Sequence, residues 1–281
     1  MNNREFRSGI AKDTLAILAA GSYRNAAGVD ISIARELDYA KGASVHYTGA
    51  ALAHLTRSGA SSTRHVTQFE VHNESTFSAA RRLVGAGHRD PLCLNFASAK
   101  NPGGGFLGGA EAQEENLAKS SGLYPCIVQM SPMYEANRAL GSCMYLDDMI
   151  YSPQVPVFRD DGYALLDTPY IASIVTAPAV NRGALARNEP ERVCEVDAVM
   201  AGRIDKLLAL AVHHGHTTLV LGAWGCGVFG NRPVDMARWF GDHLLRNPRY
   251  RDAFALVSFA VLDRKNDGTF AAFEAEFGEG R

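Results

Sequence analysis

The sequence predicts a three-layer α/β/α fold with a mixed central sheet and a helical N-terminal extension. From about residue 65, strand-like segments alternate with helical segments. The strand-like segments are apolar on both faces, and a sheet of such strands must be covered by helices on both sides. Residues 4–60 show short, broken apolar patterns typical of helices joined by loops. We therefore expect an extension over residues 1–60, packed on one core domain over residues 61–281.

The elements of this core follow in a regular order. The sequence predicts a strand over residues 65–71, a helix over 75–84 capped by Ser75 or Thr76, and a strand over 92–97, which together open a βαβ unit. Strand-like segments then cover residues 148–152, 155–158 and 170–179. They are followed by a helix over about 189–213, a strand over 217–221, a helix opened by Pro233, a strand over 255–262 and a helix near 270–277.

The charge balance limits the partners that the chain can have. Its 281 residues include 28 basic and 30 acidic side chains, for a net charge of -2, and no run of Lys and Arg occurs. Direct, sequence-specific nucleic-acid binding is therefore not expected, because neutralising phosphates requires a basic surface. No stretch approaches the roughly 20 apolar residues of a membrane span. An anionic ligand would have to be held locally, by loops and helix dipoles.

The cysteine and histidine residues indicate neither disulfides nor a metal site. The five cysteines are odd in number and widely spaced, which is typical of reduced thiols in the cytoplasm. His213, His214 and His216 lie close together where a predicted helix ends. No further ligands occur at supporting spacing, so we interpret these histidines as compensating the helix dipole.

A first unusual segment follows the predicted strand over 92–97. It contains three consecutive glycines, Gly103, Gly104 and Gly105. Such a run has a high entropic cost on folding, so it indicates positive φ angles or the close approach of a ligand to bare backbone. A plain flexible loop is the alternative interpretation.

Carboxylates follow this loop at the start of a predicted helix. Gln113, Glu114 and Glu115 stand there, and two interpretations remain open. The carboxylates could complement the helix dipole, with Glu115 also paired to Lys119. Alternatively, two neighbouring carboxyl groups beside a glycine loop suit glycoside hydrolysis. One carboxyl must then be protonated, so desolvation or its neighbour's charge must raise a pKa that the helix N-terminus lowers.

A second glycine loop, GAWGCGVFGN, covers residues 222–231 and precedes Pro233. Gly225, Gly227 and Gly230 match G-x-G-x-x-G, but the strand-end acid of a dinucleotide site is missing at the expected distance. The loop can still hold a diphosphate through backbone N–H groups at a helix N-terminus. Trp224 fits either the core or a ligand contact, whereas we expect Phe229 to contact ligand.

These residues resemble a known family. PGGG followed by QEE resembles the signature of poly(ADP-ribose) glycohydrolases, and the sequences NFASAKNPGGGFLGGAEAQEE and GAWGCGVFGN are similar to its bacterial, microbial-type branch. The resemblance extends from about Val66 to the C-terminus. It implies a macrodomain-like fold that binds the terminal ADP-ribose of the polymer. It also implies hydrolysis of the ribose–ribose O-glycosidic bond.

The resemblance also implies roles for individual residues. Glu115 corresponds to the catalytic acid, Glu114 to the carboxylate that positions the scissile riboses, and Gln113 to the first residue of the signature. The substrate-binding residues that it implies are Gly103, Gly104 and Gly105 in the catalytic loop, and Gly225, Cys226, Gly227, Val228, Phe229, Gly230 and Asn231 in the diphosphate loop. Asn101 and Phe106 are candidates by adjacency alone. Glu74 is a candidate acceptor for the adenine amino protons.

The expected substrate is poly(ADP-ribose) on modified proteins, and the expected product is ADP-ribose. No cofactor and no metal are expected, and we expect a monomer. Three alternatives remain: a non-catalytic macrodomain that binds ADP-ribose, a hydrolase of mono-ADP-ribosyl linkages, and a nicotinamide-dependent oxidoreductase suggested by G-x-G-x-x-G alone.

Overall fold

A seven-stranded mixed sheet forms the centre of the molecule. The computed structural model describes residues 3–57 and 63–278. The strands of the sheet are β3 (Val45–Tyr47), β4 (Gln68–His72), β5 (Leu92–Phe96), β6 (Met149–Arg159), β7 (Leu165–Ala177), β8 (Thr218–Leu221) and β9 (Leu256–Ala260), and β1 (Ser22–Arg24) pairs with β2 (Asp30–Ser32) in a separate hairpin. The order across the sheet is β3-β6-β7-β5-β8-β9-β4. The five strands from β7 to β4 are parallel, and β6 is antiparallel to both of its neighbours.

Helices cover both faces of this sheet. They are α1 (Asn3–Ala20), α2 (Ala34–Ala43), α3 (Gly49–Arg57), α4 (Thr76–Gly85), α5 (Gln113–Ser120), α6 (Leu123–Val128), α7 (Ser131–Leu140), α8 (Arg182–Asn188), α9 (Val196–His213), α10 (Pro233–Leu244) and α11 (Thr269–Phe277). Successive residues of β5 point to different cores. Leu92 and Leu94 pack in the cluster that contains α9 and α10, whereas Cys93 packs in the cluster that contains α4 and α6. This alternation confirms the predicted three-layer fold. No helix within the described residues is long and apolar enough to cross a membrane.

Most predicted core elements are present at nearly the predicted bounds. Ser75 caps α4, because its hydroxyl accepts a hydrogen bond from the N–H of Ser78 at 3.1 Å. The two predicted strands around residue 153 are one strand, β6, with a register shift between Ser152 and Val155. The predicted helix start at residue 189 is wrong, because residues 190–195 form a 3-10 helix and α9 begins only at Val196. The helices α6, α7 and α8 were not predicted.

The N-terminal region is less purely helical than predicted. Residues 3–57 contain three helices, but also three short strands. One of these strands, β3, joins the edge of the main sheet, where Val45 lies opposite Tyr151. Asp148 supports this junction by accepting hydrogen bonds from His46 and from the N–H of Gly49. Residues 58–62, where the extension was expected to end, lie outside the described residues, so the domain boundary stays a prediction.

The histidine cluster at the end of α9 is held by tyrosines. The ring of His214 stacks on Tyr151 with 3.6 Å between centroids, and its Nε2 lies 3.0 Å from the hydroxyl of Tyr47. Burial lowers the pKa of His214 to about 4, so this imidazole is neutral at pH 7. His214 therefore does not compensate the helix dipole by charge, whereas for His213, the exposed last residue of α9, that interpretation stays a prediction.

A buried arginine connects α9 to the segments that lead towards the second glycine loop. Arg203 is fully buried and donates to the Asp147 carboxylate at 2.9 Å and to the carbonyl of Pro178 at 2.9 Å. It also donates to the carbonyls of Met144 and Tyr145, each at 3.1 Å. The ring of Tyr145 in turn contacts that of Phe229 in the second loop, 5.9 Å away.

We expect Arg203→Met to destabilise the fold strongly. The substitution leaves three carbonyls without their buried donor, so the free energy of unfolding should fall by about 3–5 kcal/mol. Urea unfolding followed by circular dichroism measures this change. Arg24→Ala removes an ion pair with Asp30 that lies on the surface and serves as the control. An equal loss in both variants would contradict the structural role of Arg203.

Candidate active site

A cleft of about 530 Å³ opens at the carboxyl ends of β4, β5, β8 and β9. Its walls are the starts of α4 and α5, the ends of β5 and β9, the side chains of Asp161 and Tyr163, and residues 226–228. The carboxyl edge of parallel strands is the usual position for ligands in α/β sheets, and this volume suits a ligand of nucleotide size.

The first glycine loop brings its backbone against a carboxylate. Gly103 and Gly104 have φ angles of +72° and +59°, in the left-handed region that favours glycine. A Cβ on Gly104 would lie 2.4 Å from Oε1 of Glu115. The next N–H, that of Gly105, donates to the same oxygen at 2.9 Å. Glycine is therefore required at 103 and 104 by the positive φ angles, and at 104 also by the close approach of the Glu115 carboxylate.

Glu114 lies beneath this loop and is only 3% exposed. Its Oε1 accepts a hydrogen bond from Asn95 Nδ2 at 3.3 Å, and its Oε2 accepts one from the N–H of Ser98 at 2.7 Å. Burial, with a smaller contribution from the charge of Glu115, raises its pKa to about 8. Glu114 therefore carries a proton at neutral pH.

Gln113 fixes the start of α5 to the end of β5. Its Oε1 accepts a hydrogen bond from the N–H of Phe96 at 2.8 Å, while its Nε2 donates to the carbonyl of Leu94 at 2.7 Å. The Nε2 also donates to the hydroxyl of Thr76 at 3.0 Å. The amide thus joins three elements and sets the position of the two carboxyl groups that follow it.

The predicted pair of Glu115 with Lys119 is not formed. Lys119 is buried, and its Nζ donates instead to the carbonyl of Ala110 at 3.1 Å. The Nζ also lies 5.0 Å from the centre of the Tyr163 ring. Among the ion pairs of residues 3–57 and 63–278, none joins Glu115 to Lys119. Lys119 is therefore engaged by the segment that precedes α5.

The second glycine loop presents bare backbone to the cleft. Gly225 has a φ of +72°, and a Cβ there would lie 2.5 Å from Asn231 Nδ2. Gly230 also has a positive φ, +69°. Gly227, in contrast, has open space where a Cβ would stand, and it lines the cleft together with Cys226 and Val228. The fold thus requires glycine at 225, whereas at 227 glycine leaves the cleft unobstructed.

The aromatic and amide side chains of this loop face the protein interior. Trp224 is fully buried and donates from Nε1 to the carbonyl of Ala177 at 3.0 Å, so it belongs to the core. Phe229 is half-buried and packs against Tyr145. Asn231 is 2% exposed and donates to the carbonyl of Val180 at 2.9 Å. These side chains hold the loop in place, while residues 226–228 reach the cleft.

Three remaining candidates lie near the site but differ in access to it. Phe106 is 1% exposed and packs on Tyr124 with 4.7 Å between ring centroids, so its side chain supports the loop from below, and its contact with substrate stays a prediction. Asn101 is exposed, and its carbonyl accepts from the N–H of Gly104 at 3.0 Å. Glu74 lines the cleft, where Arg82 already donates to it at 2.8 Å.

The sequence-based reasoning missed several residues that shape the site. Asn95 is fully buried in β5 and also donates to the hydroxyl of Thr176 at 3.1 Å. An amide within the otherwise apolar strand LCLNF was a signal that could have found it. Asp161 accepts hydrogen bonds from the hydroxyls of Ser75 and Ser78, each at 2.7 Å. No local pattern indicates this contact, because Asp161 comes from a distant turn.

The site combines features that suit hydrolysis of a glycosidic bond. Two adjacent carboxyl groups lie under a glycine loop, and one of them is protonated at neutral pH. The neighbouring cleft offers bare backbone at Gly227. Such a pair can donate a proton to a leaving oxygen and accept one from water. Within the described residues, no group of three or more His, Cys, Asp and Glu side chains is arranged to hold a metal ion.

The fold and the carboxyl pair define a glycosidase-type site on a three-layer α/β scaffold. Residues 11–160, more than half of the chain, match the family described as microbial-type PARG, catalytic domain. The chain therefore belongs to the microbial-type poly(ADP-ribose) glycohydrolase (PARG) family. A comparison with curated proteins gives no match.

Solved structures of this family are similar over most of the chain. The poly(ADP-ribose) glycohydrolase from Thermomonospora curvata bound to the inhibitor ADP-HPD is 44% identical, with a TM-score of 0.92 over 98% of this chain and 100% of that chain. The enzyme from Deinococcus radiodurans in complex with ADP-ribose is 45% identical, with a TM-score of 0.79 over 85% of this chain and 96% of that chain. At 44–45% identity over most of the chain, these structures share both the fold and the family of this protein.

Glu114→Gln should change the pH dependence of stability. The folded chain keeps the Glu114 proton up to about pH 8, whereas the unfolded chain loses it near 4.5. The contribution of Glu114 to the free energy of unfolding is thus fully present below pH 4.5 and is lost as the pH rises from about 4.5 to about 8. The unfolding free energy of the variant minus that of the wild type should rise by up to about 1.4 kcal/mol per pH unit. Urea unfolding at several pH values checks this, and parallel curves would contradict the buried, protonated state.

Proposed function

We propose that the protein is a poly(ADP-ribose) glycohydrolase that hydrolyses ribose–ribose O-glycosidic bonds and releases ADP-ribose. The observation that carries the proposal is the Glu115 carboxylate, which the N–H of Gly105 holds. Glu115 does not itself line the cleft of about 530 Å³, but Gln113 and Asn116 on either side of the carboxyl pair do. Membership of the PARG family and the relatives that bind ADP-ribose and ADP-HPD support the same activity. A carboxyl group fixed in this way suits proton transfer at a glycosidic oxygen.

The cleft and the first glycine loop, which lies outside its lining, would receive different parts of ADP-ribose. The bare backbone of residues 226–228 would hold the diphosphate, since backbone N–H groups bind anions without a basic side chain. The loop around Gly104 and the carboxyl of Glu114 would position the scissile riboses. The start of α4, which includes Glu74, would receive the adenine, although an adenine amino group would have to share Glu74 with Arg82. Binding energy from the diphosphate would thus fix the geometry at the distant glycosidic bond.

The reaction needs one group that first gives and then takes a proton. Glu115 would protonate the departing 2′ oxygen of the neighbouring ribose while the bond from that oxygen to the anomeric carbon breaks. The resulting carboxylate would remove a proton from water, whose oxygen attacks the anomeric carbon. The Gly105 N–H holds one carboxylate oxygen of Glu115, which leaves the other for the substrate. Glu114 carries a proton at neutral pH, and this proton would have to pass to Glu115 before Glu115 could protonate the leaving oxygen.

The wider setting of this activity is also a proposal. We infer that the substrate polymer is attached to modified proteins and that the enzyme acts as a monomer in the cytoplasm. The five cysteines, which are all free thiols in the structure, support a reducing compartment. The net charge of -2 supports recognition of the terminal unit of the polymer over binding along its length.

Glu115→Gln should abolish most turnover without abolishing binding. The amide has nearly the shape of the carboxyl but cannot transfer the proton, so kcat should fall by at least about 100-fold. Release of ADP-ribose from poly(ADP-ribose) measures kcat, and calorimetry with ADP-ribose measures affinity. Near-normal activity in this variant would refute the role of Glu115.

The wild-type protein is the control that separates this proposal from its alternatives. A wild type that binds ADP-ribose but releases none from the polymer would be a non-catalytic binding protein. Activity confined to single ADP-ribose units attached to protein would indicate a mono-ADP-ribosyl hydrolase. Either result would overturn the proposed function.

Gly227→Val should weaken ADP-ribose binding. The new side chain fits the fold, because no atom lies within 4 Å of a Cβ at Gly227, but it would project where the diphosphate must approach. The dissociation constant for ADP-ribose should rise by at least about tenfold. Gly85→Val is the matched control, since Gly85 also has open space around a Cβ and does not line the cleft. Equal affinities in the two variants would show that the diphosphate binds elsewhere.

A further inference from the structure

Helix α1 contacts the segment that connects the first glycine loop to α5. We call this segment, residues 107–111, the loop base. Three of its carbonyl oxygens accept hydrogen bonds from α1 side chains: Leu107 from Ser8 Oγ at 2.9 Å, Gly108 from Arg4 Nε at 2.8 Å, and Gly109 from Arg7 Nε at 2.9 Å. Contacts with three successive carbonyls fix the path of this backbone.

Arg7 makes a second contact with the loop base. Its Nη1 lies 2.7 Å from the Glu111 carboxylate, so one guanidinium joins the Gly109 carbonyl to Glu111, which stands two residues before the start of α5. The side chain of Arg7 is 18% exposed, which shields this ion pair from solvent on one side. Lys119 of α5 holds the Ala110 carbonyl from the opposite direction. The planar fork of arginine suits such a two-point bridge better than any other side chain.

The backbones of α1 and the loop base also touch directly. Gly109 has a φ of +73°, and a Cβ there would lie 2.1 Å from the carbonyl oxygen of Arg4. Glycine at this position therefore serves both the turn and the close approach of the helix.

Further anchors hold α1 to the core independently of Arg7. The hydroxyl of Thr14 donates to the carbonyl of Lys119 at 2.6 Å, and Arg159 of β6 bonds to Asp13. Removal of Arg7 alone should therefore leave α1 docked while it loosens the loop base at Gly109 and Glu111.

The loop base is connected directly to the group that holds Glu115. The carbonyl of Gly105 accepts hydrogen bonds from the N–H of Gly108 at 3.0 Å and of Ala110 at 3.2 Å. The N–H of the same Gly105 donates to Glu115. A shift of Gly108 or Ala110 would therefore turn the Gly105 backbone and move the carboxylate oxygen that it holds.

We propose that α1 positions the catalytic loop, and that Arg7 is the positioning residue that transmits this constraint to Glu115. The inference rests on the proposed function for its kinetic consequence. It gives the N-terminal extension a role in turnover: the helix keeps the loop base in the arrangement in which Gly105 aligns Glu115.

The kinetic test compares Arg7→Ala, Arg7→Lys and the wild type on poly(ADP-ribose). Misplacement of a catalytic group by about 1 Å can cost 100-fold, so we expect kcat of Arg7→Ala to fall by about 10- to 100-fold. KM should change by less than about threefold, because residues 226–228 on the far side of the cleft keep their contacts. Arg7→Lys retains one of the two contacts and should recover part of kcat. Arg24→Ala, on the distant hairpin, should behave as the wild type.

A second measurement does not depend on activity. Hydrogen–deuterium exchange of the peptide covering residues 104–111 should accelerate by about tenfold in Arg7→Ala, while peptides from β5 and α9 remain unchanged. Gly109→Ala should have the same effect by pushing α1 away. Gly28→Ala is its matched control, because Gly28 has a φ of +78° but open space around a Cβ.

If Arg7→Ala and Gly109→Ala leave exchange unchanged, the inference is overturned, whether or not the wild type is active. Accelerated exchange with unchanged kcat would overturn the link to Glu115, and an inactive wild type would overturn the proposed function alone.

Discussion

The hydrogen bond from the N–H of Gly105 to the Glu115 carboxylate is the interaction on which the site depends. It exists because two preceding residues, Gly103 and Gly104, have left-handed backbone angles that turn the chain back over α5. At Gly104 even a methyl group would collide with the carboxylate. The glycine run therefore sets the position of the Glu115 carboxylate directly, and its cost in conformational entropy is offset by the contacts that hold the loop.

The two neighbouring carboxyl groups differ because their surroundings differ. Glu114 is buried against Asn95 and the N–H of Ser98, and burial raises its pKa. Glu115 is half-buried and faces the glycine loop. Adjacent residues at the start of one helix thus differ in environment, which is how a fold separates the tasks of similar groups. Gln113 makes this possible by fixing α5 to β5 with both ends of its amide.

The cleft explains how a chain with a net charge of -2 could bind an anionic ligand. Its wall at residues 226–228 offers backbone in place of lysine or arginine, and Gly227 leaves that wall unobstructed. Arg4, Arg7 and Lys119 are engaged by the carbonyl groups of the loop base. Arg264 and Lys265 also line the cleft, so it offers both backbone dipoles and positive charge to an anionic ligand.

The sequence by itself determined the three-layer fold, the two glycine loops, the carboxyl pair and the family. These follow from local signals, because apolar periodicity, glycine runs and the QEE motif can be identified within short stretches. The tertiary structure decided which way side chains face: Phe106 and Trp224 lie in the core, Lys119 binds Ala110, and Arg7 holds the loop base. It also revealed Asn95 beneath Glu114 and the edge strand β3. Contacts between residues about 100 positions apart depend on how elements pack, which no local pattern specifies.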